Sequence, residues 1–346
     1  FAALLQHRFL CRFFYLEFVC RFGTTVFLTL YPTKNMKIYT ILVVASLVSL
    51  PMSAATAAEH THTHRHTAKA VSFAIVPNPE VPKSMTFAGV KVDLDREDMY
   101  ERMDRELSSL VYGHGNTLLT IKRANKYFPV MAPILRSNGI PEDLLYLACV
   151  ESYLNPRAYS VAKAAGIWQF IPATARQYGL EVSDEVDERY NLEKATAAAC
   201  RYLKSAYTRY GNWESVMASY NGGMGRISGE LSKQGVNTSF DLYLTDETSR
   251  YVFRIMAMKA VMENAPAFGF VLRADQLYQP MEYTEETVDS AVENWPMWAQ
   301  EHGITYAQLR DANPWIRAKV LTNKDGKTYV VKIPKASSLR RSTSQV

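Results

Sequence analysis

The chain has 346 residues, of which 48% are apolar and 21% charged, and its formal net charge at pH 7 is +5. This composition excludes wholesale disorder, and the length suits two modest domains or one domain with a small appended module. The mildly basic charge suits an anionic polymer as substrate. It is too small to indicate nucleic acid, which we therefore do not expect as a partner.

The N-terminal part of the chain has the pattern of a targeting sequence. Residues 1–35 form an irregular aromatic run and are interpreted as upstream sequence translated by mistake. Lys37 then supplies a short positive region, residues 38–50 an apolar region and residues 55–57 an Ala-x-Ala cleavage site, which predicts a signal peptide over residues 36–58. The apolar region is short for a membrane span, but a membrane-anchoring N-terminus is the alternative.

Neither the histidines nor the cysteines predict a metal site. Residues 59–92 alternate histidine with threonine and arginine and then contain three prolines, a composition more typical of a linker than of a metal-binding tract. The four cysteines are too few for a disulfide framework. Cys149 and Cys200 both lie in helical patterns, where they are either buried free thiols or a single disulfide.

Residues 93–272 carry a helical pattern nearly throughout. Apolar residues recur at three- and four-residue spacing in six segments: 97–112, 117–137, 141–154, 191–210, 213–220 and 247–263. Beyond them, residues 295–313 predict two short helices and residues 328–333 a short strand. We therefore expect a mainly α protein, with a helical domain over residues 93–272, a small α+β module over residues 275–335 and a frayed tail over residues 336–346.

One segment of the helical pattern, residues 139–156, places a carboxylate on an apolar face. Pro141 suits the first helical position, and Pro156 disfavours helical geometry at the residue before it. Four residues fall at i, i+3, i+4 and i+7 between them: Leu144, Leu147, Ala148 and Glu151. Desolvation and the negative end of the helix dipole both oppose ionisation of Glu151 there. Such a glutamate is either half of a structural ion pair or a functional acid.

Four motifs in this part of the chain resemble those of one enzyme family. In order, they are Glu151-Ser152 with Ser160 after it, Gly166-Ile167-Trp168-Gln169-Phe170-Ile171-Pro172, Ala218-Ser219-Tyr220-Asn221-Gly222 and Glu247-Thr248-Ser249-Arg250-Tyr251-Val252. Together they are similar to the transglycosylase core that lytic murein transglycosylases share with goose-type lysozymes, over roughly residues 95–270. The lead-in over residues 127–147 is most similar to the membrane-bound D-type branch of that family.

The resemblance implies a lysozyme-like fold and a role for each matching residue. Glu151 matches the family's general acid and base. Ser160, Gln169 and Asn221 match substrate-binding positions, and Tyr251 matches a tyrosine that hydrogen-bonds the catalytic carboxyl. The alternatives are that Gln169 and Asn221 only cap helix ends and that Tyr251 is a core residue.

The activity that the resemblance implies is cleavage of peptidoglycan glycan strands at the β-1,4 bond between MurNAc and GlcNAc, leaving 1,6-anhydroMurNAc ends. Glu151 would act without a second carboxylate, because the acetamido group of the substrate takes its place. No metal or organic cofactor is implied, and the signal pattern would place the enzyme in the periplasm or cell envelope. A hydrolytic muramidase of the goose-lysozyme type and a non-catalytic peptidoglycan-binding protein are the alternatives.

The C-terminal module has a resemblance of its own. Residues 298–314 look like the helical half of a LysM glycan-binding module, and residues 327–333 look like its closing strand. The Gly-Asp-Thr-Leu sequence that opens such modules is missing. A glycan-binding module and a purely structural appendage are both compatible with this pattern.

Overall fold

The computed structural model describes residues 78–340, which form ten α-helices and two separate two-stranded sheets. The predicted upstream segment, the signal peptide, the histidine tract and the end of the tail lie outside this range. The helices are α1 (Glu97–Tyr112), α2 (His114–Ser137), α3 (Leu145–Ser152), α4 (Pro172–Gln177), α5 (Leu192–Tyr210), α6 (Trp213–Gly222), α7 (Met224–Gln234), α8 (Asp246–Glu263), α9 (Trp295–Glu301) and α10 (Tyr306–Ala312). The strands are β1 (Ser84–Phe87), β2 (Val90–Asp93), β3 (Tyr283–Val288) and β4 (Tyr329–Pro334).

The predicted fold class is confirmed, because each of the six predicted helical segments contains a helix and the C-terminal part combines two short helices with a strand pair. The prediction does not include α4 and α7. Helix α4 has only 6 residues, and α7 contains two glycines, which weaken a helical pattern.

The segment that carries Glu151 starts and ends differently from its prediction. It begins with a 3-10 turn at Glu142–Leu144, and α3 ends at Ser152 because Tyr153 and Leu154 adopt left-handed backbone conformations with φ of 51° and 54°. Leu144, Leu147 and Ala148 are fully buried, as the apolar stripe predicts.

The linker prediction is wrong for residues 84–92. Strands β1 and β2 form an antiparallel hairpin, with Ser84 opposite Asp93 and Phe87 opposite Val90. Phe87 is buried in the core of the helical domain, and the backbone N–H of Ala88 donates to the Asp143 carboxylate at 2.6 Å. Each strand of this hairpin has only four residues, so its alternation of apolar and polar residues is too short to be recognised beside the prolines.

Helix α8 is the centre of the helical domain. It packs against α1, α3 and α6, and ten of its residues are buried. Helix α2 packs against α3 and α5 on the other side. Cys149 of α3 and Cys200 of α5 are buried in this core as free thiols, so the alternative of a disulfide between them is excluded.

The C-terminal domain, residues 283–334, pairs β3 with β4 in antiparallel register and packs α9 and α10 beside them. Its apolar core includes Trp295, Leu309 and Val331. The same cluster contains three residues of the helical domain: Ala165, Val186 and Tyr190. Residues of the helical domain therefore complete the core of the C-terminal domain.

An irregular loop, residues 153–171, connects α3 to α4. Gly166 has φ +76°, and a Cβ atom there would lie 1.9 Å from the carbonyl oxygen of Arg189. Only glycine can occupy such a position, because the backbone conformation and the space both exclude a side chain.

We predict that Gly166→Ala destabilises the protein by about 3 kcal/mol or more, because it adds an overlap with backbone atoms to an unfavourable φ. Gly229→Ala is the matched control: Gly229 lies within α7, and a Cβ there would meet nothing within 4 Å. The control should stabilise the fold by about 0.5–1 kcal/mol, since alanine is the better helix former. Denaturant unfolding of both variants measures the difference, and equal midpoints would show that the loop does not need glycine at 166.

Candidate active site

Glu151 and Tyr251 meet at the contact between α3 and α8. Glu151 lies in the last turn of α3 and is half-buried, while Tyr251 of α8 is only 2% exposed. The Tyr251 hydroxyl donates a hydrogen bond to Oε1 of Glu151. The contact joins two residues that the sequence analysis selected from separate motifs.

Burial raises the pKa of Glu151 to about 7. The hydrogen bond from Tyr251 acts in the opposite direction because it stabilises the carboxylate, and the nearby charges of Glu247 and Arg254 have smaller and opposed effects. Burial also raises the pKa of Tyr251, so its hydroxyl keeps its proton and stays a donor. Glu151 can therefore exchange a proton near neutral pH, as a general acid and base requires.

Glu151 makes no ion pair with any residue in the range 78–340. The arginines of α8 that could provide one bind other acids: Arg250 and Arg254 contact the buried carboxylate of Glu106 at 2.6 and 3.2 Å. Arg254 also lies 3.4 Å from Glu247. The alternative of a structural ion pair at Glu151 is thereby excluded.

Ser160 and Gln169 both lie on the loop of residues 153–171. The Ser152 hydroxyl, which follows Glu151 directly, donates to the carbonyl of Ile167 at 2.8 Å and so attaches this loop to α3. The Ser160 hydroxyl accepts from the N–H of Ala164 at 3.1 Å. The two residues are half-buried, so each retains surface that a ligand can reach.

Gln169 has a left-handed backbone with φ 51°, and its side-chain amide donates to the carbonyl of Gly166 at 2.7 Å. It does not cap α4, whose N-cap residue is Ile171. Asn221 does not cap α7 either, because Gly223 is the N-cap there. Its side-chain oxygen accepts from the Thr248 hydroxyl at 2.8 Å, which connects the end of α6 to α8.

Tyr220 is a site residue for which the sequence analysis gave no role. Its hydroxyl donates to the carbonyl of Trp168 at 2.7 Å, and the charge of Glu151 contributes to the raised pKa of Tyr220 after the larger effect of burial. The buried Trp168 in turn donates from its indole N–H to Thr196 at 2.9 Å. Helix α6 thus fixes the residue before Gln169. The sequence signal for Tyr220 lies in the motif Ala218-Ser219-Tyr220-Asn221-Gly222, where this tyrosine directly precedes the exposed Asn221.

No group of three or more histidine, cysteine, aspartate or glutamate residues in the described range could hold a metal ion. None of the helices between residues 78 and 340 is long and apolar enough to cross a membrane.

Two family models match the chain. Residues 131–240 match the transglycosylase SLT domain, and residues 284–337 match the soluble lytic transglycosylase C-terminal LysM-like domain. The first range contains Glu151, Ser160, Gln169 and Asn221, whereas Tyr251 lies beyond it.

Among curated proteins, the chain is 30% identical over 255 residues to membrane-bound lytic murein transglycosylase D of Escherichia coli K12, an alignment that covers 72% of this chain and 54% of that protein. It is 38% identical over 94 residues to peptidoglycan transglycosylase gp16 of Escherichia phage T7, covering 26% of this chain and 7% of the phage protein. The chain thus spans about half the length of the first relative and a small part of the second.

Partial matches among solved structures include proteins from two bacteria. An inactive mutant of the lytic transglycosylase Slt from Pseudomonas aeruginosa is 19% identical, with a TM-score of 0.35 and coverage of 44% of this chain and 26% of that one. The 70 kDa soluble lytic transglycosylase from Escherichia coli is 22% identical, with a TM-score of 0.35 and coverage of 44% and 27%. By these family models, the chain contains a transglycosylase SLT domain and a soluble lytic transglycosylase C-terminal LysM-like domain, and it is similar over 72% of its length to a lytic murein transglycosylase.

Proposed function

We propose that the protein is a peptidoglycan lytic transglycosylase, a carbon–oxygen lyase that cleaves the β-1,4 bond between MurNAc and GlcNAc and leaves 1,6-anhydroMurNAc ends. The observation that carries this proposal is the state of Glu151. Its carboxyl is bonded to the Tyr251 hydroxyl, has no ion-pair partner between residues 78 and 340, and has a pKa raised to about 7. This carboxyl lies inside the SLT domain.

In the first half of the reaction, Glu151 acts as the acid. Its neutral form donates the proton to the oxygen that bridges MurNAc and GlcNAc, and the bond from C1 of MurNAc to that oxygen breaks. The acetamido oxygen of MurNAc stabilises the positive charge that develops at C1, in place of a second carboxylate. The Tyr251 hydroxyl stabilises the carboxylate that Glu151 becomes.

In the second half, the Glu151 carboxylate acts as the base. It removes the proton from the 6-hydroxyl of MurNAc while that oxygen attacks C1, so a C1–O6 bond forms and Glu151 regains its proton. No water is consumed. Glu247, the acid whose charge acts on Glu151, has a side chain that is 64% exposed and lies near Arg254. It is therefore poorly placed to serve as a second buried carboxylate.

Ser160, Gln169 and Asn221 are proposed to bind the substrate beside this acid. Hydrogen bonds that hold these residues near Glu151 support this proposal. The loop with Ser160 and Gln169 is hydrogen-bonded to α3 through Ser152, and Asn221 is hydrogen-bonded to α8 one turn before Tyr251. We also propose that the protein acts in the cell envelope, since one relative is named a membrane-bound murein transglycosylase.

The first functional prediction concerns Glu151→Gln. The amide cannot donate a proton and recover it, so turnover of purified sacculi should be abolished while the protein stays folded. Wild-type products should be about 18 Da lighter than hydrolysis products, because the 6-hydroxyl beside C1 attacks in place of water. Mass spectrometry of the released muropeptides measures both effects.

The matched control for this prediction is Glu142→Gln, which removes a carboxylate from an exposed ion pair with Arg136 near the start of the same segment. It should leave turnover unchanged. Wild-type products with reducing MurNAc ends would replace the proposal with a hydrolytic muramidase. Full activity in Glu151→Gln would exclude Glu151 as the acid and base.

The second functional prediction concerns Tyr251→Phe. Losing a hydrogen bond that stabilises the transition state should lower kcat by about 10- to 1000-fold. The Tyr251 hydroxyl lowers the pKa of Glu151, so its removal should raise that pKa further. Since the reaction starts from protonated Glu151, activity falls as the pH rises through this pKa, and the alkaline limb of the pH–rate profile should move to higher pH.

Tyr202→Phe is the control for Tyr251→Phe, because Tyr202 is also buried and donates to the carbonyl of Ser219 at 2.7 Å. It should lower stability without moving the alkaline limb. An unmoved limb in Tyr251→Phe, or a loss of thermal stability that parallels its loss of activity, would identify Tyr251 as a core residue only.

A further inference from the structure

The loop of residues 153–171 is held by hydrogen bonds of its own and, from outside, by Arg189. This guanidinium is buried and donates to two carbonyls of the loop, that of Lys163 at 2.6 Å and that of Phe170 at 3.0 Å. The loop backbone at Gly166 packs directly against the Arg189 carbonyl. Arg189 therefore holds the loop backbone on both sides of Gly166, at Lys163 and at Phe170, the residue after Gln169.

Arg189 is itself oriented by Asp187. The two side chains form a buried pair with two contacts, Nη2 to Oδ2 at 2.7 Å and Nε to Oδ1 at 2.9 Å. With two nitrogens on Asp187 and the remaining one on the loop carbonyls, the planar guanidinium has a single orientation. A lysine cannot make this set of contacts.

The segment with Asp187 is attached to the C-terminal domain by backbone hydrogen bonds. The N–H of Asp187 donates to the carbonyl of Trp315 at 2.9 Å, and the N–H of Arg317 donates to the carbonyl of Glu185 at 2.8 Å. Val186 and Ile316 thus face each other in an antiparallel bridge. This bridge joins the backbone of the C-terminal domain to the backbone of the helical domain.

Side-chain contacts support the same attachment. Val186, Tyr190 and Ala165 are buried in the cluster that forms the core of the C-terminal domain, and Ala165 belongs to the loop itself. The Arg317 guanidinium lies 4.3 Å from the centre of the Tyr190 ring. An unbroken series of contacts thus runs from the C-terminal domain to the backbone between Ser160 and Gln169.

We propose that the LysM-like domain, through its bridge at Ile316 and through Asp187 and Arg189, positions the loop that carries Ser160 and Gln169 and is thereby part of the catalytic unit. This inference rests on the proposed function of those two residues. Arg189 is a positioning residue that contacts the loop, and the domain contributes to cleavage even of fragments too short to need a second glycan-binding module.

The test uses the full chain and a short soluble muro-tetrasaccharide as substrate. Arg189→Lys keeps the charge opposite Asp187 but loses the fixed set of bonds, so kcat/KM should fall by about 10- to 100-fold, the effect of displacing substrate-positioning groups by a fraction of an ångström to an ångström. The alkaline limb of its pH–rate profile should stay at the wild-type position, because Glu151 and Tyr251 are untouched.

A matched pair of variants separates positioning from stability. Val186→Ala and Val288→Ala each delete two methyl groups from the same apolar cluster. Only Val186 lies at the bridge between the two domains. At a temperature where both are folded, Val186→Ala should lower kcat/KM several-fold and Val288→Ala should not. Equal kcat/KM values in the two variants would overturn the inference.

Hydrogen exchange gives a readout that does not depend on activity. Amides of residues 158–170 should exchange faster in Val186→Ala and in Arg189→Lys than in the wild type, while Val288→Ala should leave them unchanged. If the wild type cleaves no peptidoglycan, the proposed function fails, but this exchange difference still decides whether the C-terminal domain holds the loop. Unchanged exchange in Val186→Ala would show that it does not.

Discussion

Two opposing effects act on the carboxyl of Glu151 where α3 meets α8. Burial disfavours its charge, and the hydrogen bond from Tyr251 favours it. Their balance brings the pKa to about 7, from an ordinary value of 4.5. Either effect alone would give a poorer catalyst, since an exposed acid is already ionised at neutral pH and an acid buried without a donor holds its proton too tightly. The packing of α3 on α8 is therefore the constraint on which the proposed chemistry depends.

Contacts elsewhere in the structure leave this carboxyl without a cation and hold the proposed substrate-binding residues in place. The buried Glu106 of α1 binds Arg250 and Arg254, the arginines of α8 on either side of Tyr251 in the sequence. Ser152 attaches the loop of residues 153–171 to the helix of Glu151, and Arg189 holds the same loop from the side of the C-terminal domain. The acid and the proposed binding residues thus depend on contacts among α1, α3, α8 and the LysM-like domain.

The helices and the candidate acid could be predicted from the sequence because both depend on local periodicity and on motifs. Periodicity does not decide what a buried acid does, however. Glu106 also lies on an apolar stripe, with Met103, Leu107 and Leu110, yet it is a structural ion-pair residue while Glu151 is not. The different roles of the two carboxylates depend on their partners, and these partners belong to α8, which is distant from both in the sequence. The part that Val186 and Tyr190 play in the core of the C-terminal domain was unpredictable for the same reason. The two residues lie outside the α-helices and strands, and only the tertiary fold brings them into that core.

The most direct test of this account is an NMR titration of the Glu151 side-chain carboxyl carbon in the labelled wild-type protein, with the signal identified by its absence in Glu151→Gln. If Glu151 is the acid and base, its titration midpoint lies at about pH 7. A midpoint near the ordinary value of 4.5 would contradict it, because Glu151 would then be ionised at neutral pH and unable to act as the acid.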